Sequence, residues 1–131
     1  MKKLHKKAVD NRLLMIVGIG TRRGITKEEV LEAVKQALDE CGLSLKEITA
    51  FASAKLKENE QGLLEAGEML GIPVKFLPDE VLNSYNPPSL SQASRFGLKG
   101  VAEPAALALS EKNELICRKK VYGRVTIAIA R

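Results

Sequence analysis

Residues 18–24 read Gly-Ile-Gly-Thr-Arg-Arg-Gly, and the sequence around this stretch decides the fold. The apolar run over residues 13–19 predicts a strand that is buried on both faces. Thr26 and Glu29 have the spacing of a capping box, which predicts that a helix begins directly after the turn. A glycine-rich turn between a strand and a helix presents backbone N–H groups at the positive end of the helix dipole. The stretch therefore predicts an α/β unit with a turn suited to an anion.

Two arginines within this turn, Arg22 and Arg23, strengthen the expectation of an anionic ligand. The guanidinium group favours planar, bidentate recognition of carboxylate or phosphate. A dinucleotide fingerprint would need a third glycine where Arg23 stands, and a P-loop would need a following Gly-Lys-Ser/Thr, which is absent. Two interpretations stay open: a carboxylate or phosphate site, or a tight turn that glycine shapes and whose arginines are merely solvated.

The composition is that of one globular domain, with 131 residues of which 45% are apolar. The net charge is +5, but residues 1–12 hold five basic residues against one acidic residue, whereas the other 119 hold 16 basic and 15 acidic residues. We therefore expect a basic tail or linker over 1–12 and a single domain over 13–131. Aromatic residues make up only 4% of the chain, so no stacking platform for nucleic acid is expected.

The distribution of cysteine and histidine predicts neither a metal site nor a resident cofactor. Cys41 and Cys117 are isolated in the sequence, and the single histidine, His5, lies in the tail. A zinc site and a Ser-His or Cys-His nucleophile pair are therefore not expected. No apolar run is long enough for a membrane span or a secretion signal, so we expect a reduced, cytoplasmic protein without membrane contact.

The remaining pattern predicts alternating strands and helices. Helical spacing extends from residue 30 to residue 41, with Gly42 as the C-terminal cap. Further strands are expected over 48–53, 73–77, 115–117 and 125–130, and further helices from residue 58 or 59 to 71, over 91–96 and over 103–110. This order predicts an α/β fold, a three-layer α/β/α sandwich with a mixed, mainly parallel sheet. Its first three strands should be parallel, and the last two should add an antiparallel edge as a hairpin across 119–123.

Ligands of such folds bind beyond the carboxyl ends of the strands, where this chain carries basic residues. Arg22 and Arg23 follow the first strand, and Lys55 and Lys57 follow the second. A polar, proline-bearing loop over 83–89 follows the third. The four cations would form a basic rim that attracts a ligand with several carboxylates, although charge alone is equally consistent with a solvated edge.

Glu60 and Glu103 are the candidates for an acid–base role, because each is expected close to the rim at the start of a helix. The alternative role for both is to complement the positive end of the helix dipole.

Several motifs taken together resemble a known family over residues 13–131. The chain is similar to the C-terminal domain of the cobalamin-biosynthesis protein CbiG and to the free-standing protein CobE. The motifs that carry the resemblance are Gly18-Ile-Gly-Thr-Arg-Arg-Gly24, Ser53-x-Lys55, Glu60-x-Gly62-Leu63, Pro88-Ser89, Gly100-Val-Ala-Glu-Pro-Ala-Ala-Leu107 and Thr126-Ile-Ala-Ile-Ala130.

The resemblance implies a function in building the corrin ring. The full-length relative resembles a cobalt-precorrin-5A hydrolase, which opens the δ-lactone of the ring with water and releases acetaldehyde. Its substrate carries many carboxylates, so the two arginines would clamp carboxylates while backbone N–H groups of residues 20–24 bind a carboxylate or an oxyanion. Cobalt would enter only as part of the substrate. The implied substrate-binding residues are Gly18, Gly20, Thr21, Arg22, Arg23, Gly24, Ser53, Lys55 and Ser89, and the implied catalytic residues are Glu60 and Glu103.

Three functional hypotheses follow from the sequence. The first is a domain of the hydrolase that binds the tetrapyrrole and takes part in lactone opening, together with upstream domains or other pathway enzymes. The second is a non-catalytic module that binds or carries a precorrin, as a CobE-like protein would. The third is a small α/β interaction domain without a small-molecule site. The hydrolase relatives are longer, and many relatives carry cysteine where this chain has Thr21.

Overall fold

The computed structural model describes residues 15–85 and 101–131. The expected tail over 1–12, the expected helix over 91–96 and Ser89 lie outside these residues. In chain order the elements are β1 (Met15–Thr21), α1 (Lys27–Cys41), a 3-10 turn (Leu45–Glu47), β2 (Ile48–Ala54), a second 3-10 turn (Lys55–Lys57), α2 (Gln61–Leu70), β3 (Val74–Leu77), α3 (Asp79–Asn83), α4 (Ala102–Leu109), β4 (Leu115–Tyr122) and β5 (Val125–Ala130). None of the helices in the described ranges is long and apolar enough to cross a membrane.

The five strands form one mixed sheet in the order β3-β2-β1-β5-β4. β1 pairs in parallel with β2, and β2 pairs in parallel with β3. β5 is antiparallel to both β1 and β4, so it is the one described strand that runs against the others. The structure thus confirms the mixed, mainly parallel sheet, and β1 lies at its centre.

Helices cover both faces of this sheet. Alternate residues of β1 face opposite sides, so this strand contributes to the apolar cluster on each face. Val17 and Ile19 belong to a buried apolar cluster with residues of α1 and α2. Ile16 belongs to a second cluster, which includes Leu82 of α3 and residues of α4. The expected three-layer α/β/α sandwich is therefore confirmed.

The start of α1 has the predicted capping box. The Thr26 hydroxyl accepts the Glu29 N–H at 3.2 Å, and the Glu29 carboxylate accepts the Thr26 N–H at 3.1 Å. Gly42 ends the helix with a φ of 70°, the left-handed conformation that favours glycine. These features were readable from the sequence because each depends on residues only a few positions apart.

Elements that depend on distant pairing differ from the expectation. β4 extends to Tyr122 rather than ending at residue 117, since its backbone pairs with β5 over most of its length. The hairpin therefore closes through a two-residue turn, Gly123-Arg124, in which Gly123 has a φ of 65°. α2 begins at Gln61 rather than at residue 58 or 59, because residues 55–57 form a 3-10 turn first. The short helix α3 had no periodic pattern long enough to be recognised.

The two cysteines lie far apart in the sequence and were expected to be reduced, but they form a disulfide between the end of α1 and β4. Cys41 and Cys117 are 76 positions apart, and their Cα atoms are 6.7 Å apart. Sequence spacing could not reveal this contact, because the sheet order brings the two elements together.

The β4–β5 turn is also tied to the start of α1 by an ion pair. Nε and Nη2 of Arg124 donate to the two carboxylate oxygens of Glu29 at 2.8 and 2.6 Å. The hydrogen bonds from Arg124, followed by the one from the Thr26 backbone, lower the pKa of Glu29 to about 2. The same pairing raises the pKa of Arg124.

Substitution of Gly18 tests the contact between β1 and α4. A Cβ atom at residue 18 would overlap the Ala102 carbonyl oxygen and lie 2.8 Å from the Ala106 nitrogen. We expect Gly18→Ala to lower the free energy of unfolding by about 2 kcal/mol, measured by urea denaturation, because the backbone of α4 must move away. Gly20→Ala is the matched control: its Cβ would lie 3.6 Å from that of Val101, an ordinary contact, and should cost less than about 1 kcal/mol. Equal stability of the two variants would contradict the assigned packing.

The Glu29–Arg124 pair predicts a pH-dependent contribution to stability. A carboxylate whose pKa is lowered in the folded state stabilises the fold above its ordinary pKa, and this stabilisation is lost as the pH falls toward 2. Glu29→Gln keeps a capping side chain but removes the charge, so its loss of stability should be larger at pH 7 than at pH 3 in urea unfolding. Glu32→Gln, on the same helix and bonded to Gln36, controls for removal of a charge from α1. A Glu29→Gln deficit that is unchanged between the two pH values would contradict the pairing.

Candidate functional site

The candidate site is the edge of the sheet where β1, β2 and β3 end. Because these strands are parallel neighbours, the residues that follow each of them meet at the same edge. Arg22 and Arg23 follow β1, and Lys55 and Lys57 form the turn after β2. We call these four residues the basic rim. The Gly123-Arg124 turn lies at the same edge, because β5 begins where β1 ends.

The cations of the basic rim are available to a ligand. Arg22, Arg23 and Lys55 are exposed, and Lys57 is half-buried. Within residues 15–85 and 101–131 the rim side chains form no ion pair, whereas Arg124 beside them is held by Glu29. The exposed Leu56 between the two lysines, with 61% of its surface accessible, adds an apolar contact at this edge.

The turn that carries the two arginines is held by groups from two distant parts of the chain. The Gly24 N–H donates to the Glu60 carboxylate, with distances of 3.1 and 3.4 Å to its two oxygens. The Arg22 N–H donates to the Arg124 carbonyl oxygen at 3.2 Å, and Nη2 of Arg124 lies 3.4 Å from the Gly24 carbonyl oxygen. Gly24 itself has a φ of 77°, which requires glycine at this position for an unstrained turn.

These bonds change the expected chemistry of the turn. The sequence suggested that N–H groups of residues 20–24 would bind an anion, but those of Arg22 and Gly24 already donate within the protein. The guanidinium and ammonium groups of the rim therefore remain as the principal donors for a ligand.

Glu60, a candidate acid–base residue, lies half-buried beside the turn. It precedes α2 but its side chain does not cap that helix. The carboxylate reaches across to Gly24 instead. The main contact of the Glu60 carboxylate is therefore with Gly24 and not with the N–H groups at the start of α2.

Glu103, the second candidate, is 1% exposed and lies beneath the hairpin. The pairing of β4 with β5 is irregular between Cys117 and Lys120, so that β4 carries one extra residue there as a bulge. The Glu103 carboxylate accepts the N–H of Lys119 within this bulge at 2.9 Å. This contact stabilises the bulge, since it supplies a partner for a backbone donor that the ladder leaves out.

Three of the residues with an expected binding role, Gly18, Gly20 and Ser53, occupy positions that the fold itself uses. Ser53 is fully buried, and its hydroxyl donates to the Ile19 carbonyl oxygen at 2.6 Å, which joins β2 to β1. Gly18 and Gly20 lie under the first turn of α4. Thr21 has a buried hydroxyl oxygen with no hydrogen-bond partner in the described part of the chain.

Sequence reasoning missed Arg124 and the second role of Glu29. Arg124 stands in a hairpin turn near the end of the chain, and nothing in its neighbourhood indicates that it contacts residues 22–29. The only signal was the pattern of two adjacent strands, from which the antiparallel edge was expected but not its position next to β1.

Comparison with known proteins shows the family to which this chain belongs. Residues 15–130 match the family model described as cobalamin synthesis G C-terminus. The chain is 31% identical to a cobalt-precorrin-5A hydrolase from Priestia megaterium, over 99% of this chain and 37% of that protein. It is 30% identical to the protein CobE from Sinorhizobium sp, over 88% of this chain and 79% of that protein. The chain thus spans little more than a third of the hydrolase but most of CobE.

Solved structures agree with these relationships. The crystal structure of CobE, a protein from the cobalamin (vitamin B12) biosynthetic pathway, superposes with a TM-score of 0.81 at 40% identity, covering 90% of this chain and 93% of that one. The cobalamin biosynthesis protein chiG from Agrobacterium tumefaciens superposes with a TM-score of 0.70 at 29% identity, covering 88% of this chain and 95% of that one. The chain therefore belongs to the family of the cobalamin synthesis G C-terminal domain, a family of cobalamin biosynthesis.

Proposed function

We propose that this domain binds a cobalt-precorrin, a tetrapyrrole with several carboxylate side chains, at the basic rim. In this proposal it serves lactone opening as the C-terminal part of a cobalt-precorrin-5A hydrolase. The observation that carries the proposal is the pair of exposed arginines, which have no ion-pair partner among residues 15–85 and 101–131, on a turn that the protein holds in place.

The chemistry of the rim fits a ligand with several separate carboxylates. Arg22 and Arg23 offer forked donors, and Lys55 offers a compact charge from the neighbouring strand end. Outside the rim, the described residues comprise 10 basic and 15 acidic residues, so these four cations give this edge a local positive potential on an otherwise acidic domain. Leu56, exposed among them, suits the apolar part of a ring system.

The positions of Glu60 and Glu103 favour different roles in this proposal. Glu60 borders the rim and is the carboxylate that a bound ligand could approach. Glu103 is buried beneath the bulge of β4, so an acid–base role would require the ligand to reach beneath the hairpin. Of the two, we propose Glu60 as the residue in contact with the site. No metal enters the proposal as a resident group, since cobalt would arrive within the substrate.

The second candidate function is a non-catalytic module that binds or carries a precorrin. It is favoured by the superposition on CobE, which covers 93% of that chain. It is also favoured by the internal hydrogen bonds of both candidate carboxylates, because a general base needs a carboxylate oxygen within reach of the substrate. Both functions require the same binding surface and differ only in whether the ring is changed after it binds.

Removal of the two arginines tests the binding surface. We expect Arg22→Ala/Arg23→Ala to weaken the affinity for cobyrinic acid, a stable corrinoid with several carboxylates, by about tenfold or more. The change should leave folding nearly intact, within about 0.5 kcal/mol, since both side chains are exposed. The affinity is measured by titration with absorbance detection, and the contact residues by NMR shifts.

Lys46→Ala/Lys112→Ala is the matched control for charge. Both lysines are exposed and lie at the opposite edge of the sheet, beside the start of β2 and the end of β5. The control removes the same charge, so it separates a local clamp from a general electrostatic attraction. Equal affinities of the two double variants would overturn the carboxylate clamp. Acetaldehyde release by this chain alone would show that it is catalytic by itself and would contradict the carrier function.

A further inference from the structure

The turn that carries the arginines depends on Glu60 in a manner that an acid–base role does not explain. Glu60 occupies the N-terminal cap of α2, where a short polar side chain such as that of aspartate or serine ordinarily accepts a free N–H group of its own helix. Its side chain makes no such bond and reaches instead to Gly24, 36 positions earlier in the chain. The helix thus forgoes a side-chain cap, and the turn gains an acceptor for its N–H.

The approach of α2 to the turn is itself built into the sequence. A Cβ atom at Gly62 would overlap the Ile25 carbonyl oxygen and lie 2.7 Å from the Thr26 carbonyl carbon. Glycine at this position therefore lets the first turn of α2 contact the backbone that directly follows the arginine turn. This contact sets the distance over which Glu60 can bind Gly24.

A turn between two glycines is costly to order, because glycine has more conformational freedom in the unfolded chain than other residues. A ligand that had to order the turn would lose affinity by that amount. We infer, building on the function proposed above, that Glu60 is a positioning residue for ligand binding: its bond to Gly24 fixes the backbone that carries Arg22 and Arg23. Arg124 supports the same turn from the other side through its bond to Arg22.

The sign of a substitution distinguishes positioning from simple electrostatics. Removal of a negative charge next to a basic rim should strengthen the binding of a polycarboxylate, by Coulomb attraction alone. Loss of a positioning bond should weaken it. Glu60→Ala therefore produces opposite results under the two hypotheses.

The experiment compares four variants of the full chain by titration with cobyrinic acid. We expect Glu60→Ala to bind about tenfold more weakly than the wild type. We expect Glu60→Gln to bind within about twofold of the wild type, because the amide oxygen can still accept the Gly24 N–H. Glu58→Ala is the matched control, an exposed glutamate two positions earlier that removes the same charge and should bind equally well or more tightly.

Glu60→Asp is the fourth variant and guards against a failure to fold. Aspartate keeps the charge and is a good N-terminal cap, so α2 should be at least as stable. Its side chain is one methylene shorter, so the hydrogen bond to the Gly24 N–H should be lost. The variant should then bind cobyrinic acid more weakly than the wild type.

Amide hydrogen exchange of Gly24 provides a readout that needs no ligand. Exchange should be about tenfold faster in Glu60→Ala and Glu60→Asp than in the wild type, and nearly unchanged in Glu60→Gln and Glu58→Ala. Glu60→Ala that binds as tightly as the wild type, or a Gly24 amide that exchanges equally fast in all variants, would overturn the positioning role. Weak binding by Glu60→Gln with a protected Gly24 amide would also overturn it, since the carboxylate would then act on the ligand directly. If the wild type does not bind cobyrinic acid, the proposed function fails, and the exchange rates alone decide whether Glu60 fixes the turn.

Discussion

The backbone of α4 lies directly against Gly18 of β1, and this contact determines how the layer over the second face of the sheet is arranged. β1 is the central strand, so a helix that approaches it closely must meet a residue without a side chain. The close approach places Val101 beside Gly20 and places Glu103 beneath the bulge of β4. On the other face, Val17 and Ile19 pack against α1 and α2. Large residues and glycine thus alternate along β1. The backbone of α4 contacts the glycine face of this strand directly, whereas side chains separate the strand from α1 and α2 on the other face.

A second close backbone contact at a glycine occurs where α2 meets the turn that carries Arg22 and Arg23. Gly62 allows a backbone contact that brings Glu60 within hydrogen-bond distance of Gly24. Two N–H groups of the turn, those of Arg22 and Gly24, donate inside the protein. A ligand at this edge would therefore meet side-chain donors rather than these backbone donors. A backbone anion cradle and a set of arginine clamps are different solutions to carboxylate recognition, and the second one leaves the cations solvated until a ligand arrives.

The sequence predicted those parts of the molecule whose cause is local. The capping box of Thr26 and Glu29 and the left-handed Gly42 follow from spacing over a few residues. The parallel start of the sheet follows from the alternation of strands and helices along the chain. The extent of β4, the Cys41–Cys117 bond and the contact of Arg124 with the turn follow from strand order instead. Sequence spacing cannot fix that order, because each contact joins residues that are tens of positions apart. For the same reason the basic rim was predictable as a set of strand ends, whereas the partners of Glu60 and Glu103 were not.

The environments of the two carboxylates and the family relationships favour the same part of the proposed function. The domain matches a protein about as long as itself and also about a third of a hydrolase. A property that serves in both settings is one that this domain supplies without the rest of the hydrolase. The proposed binding at the basic rim would be such a property, because the rim cations and the hydrogen bonds that hold their turn come from described residues of this chain. Catalysis by this domain alone is less well supported, because Glu103 is buried and Glu60 is already bonded to the turn that carries Arg22 and Arg23. In the proposed function, this domain would therefore capture and orient a carboxylate-rich ring, and lactone opening would depend on reactive groups from the rest of a longer hydrolase.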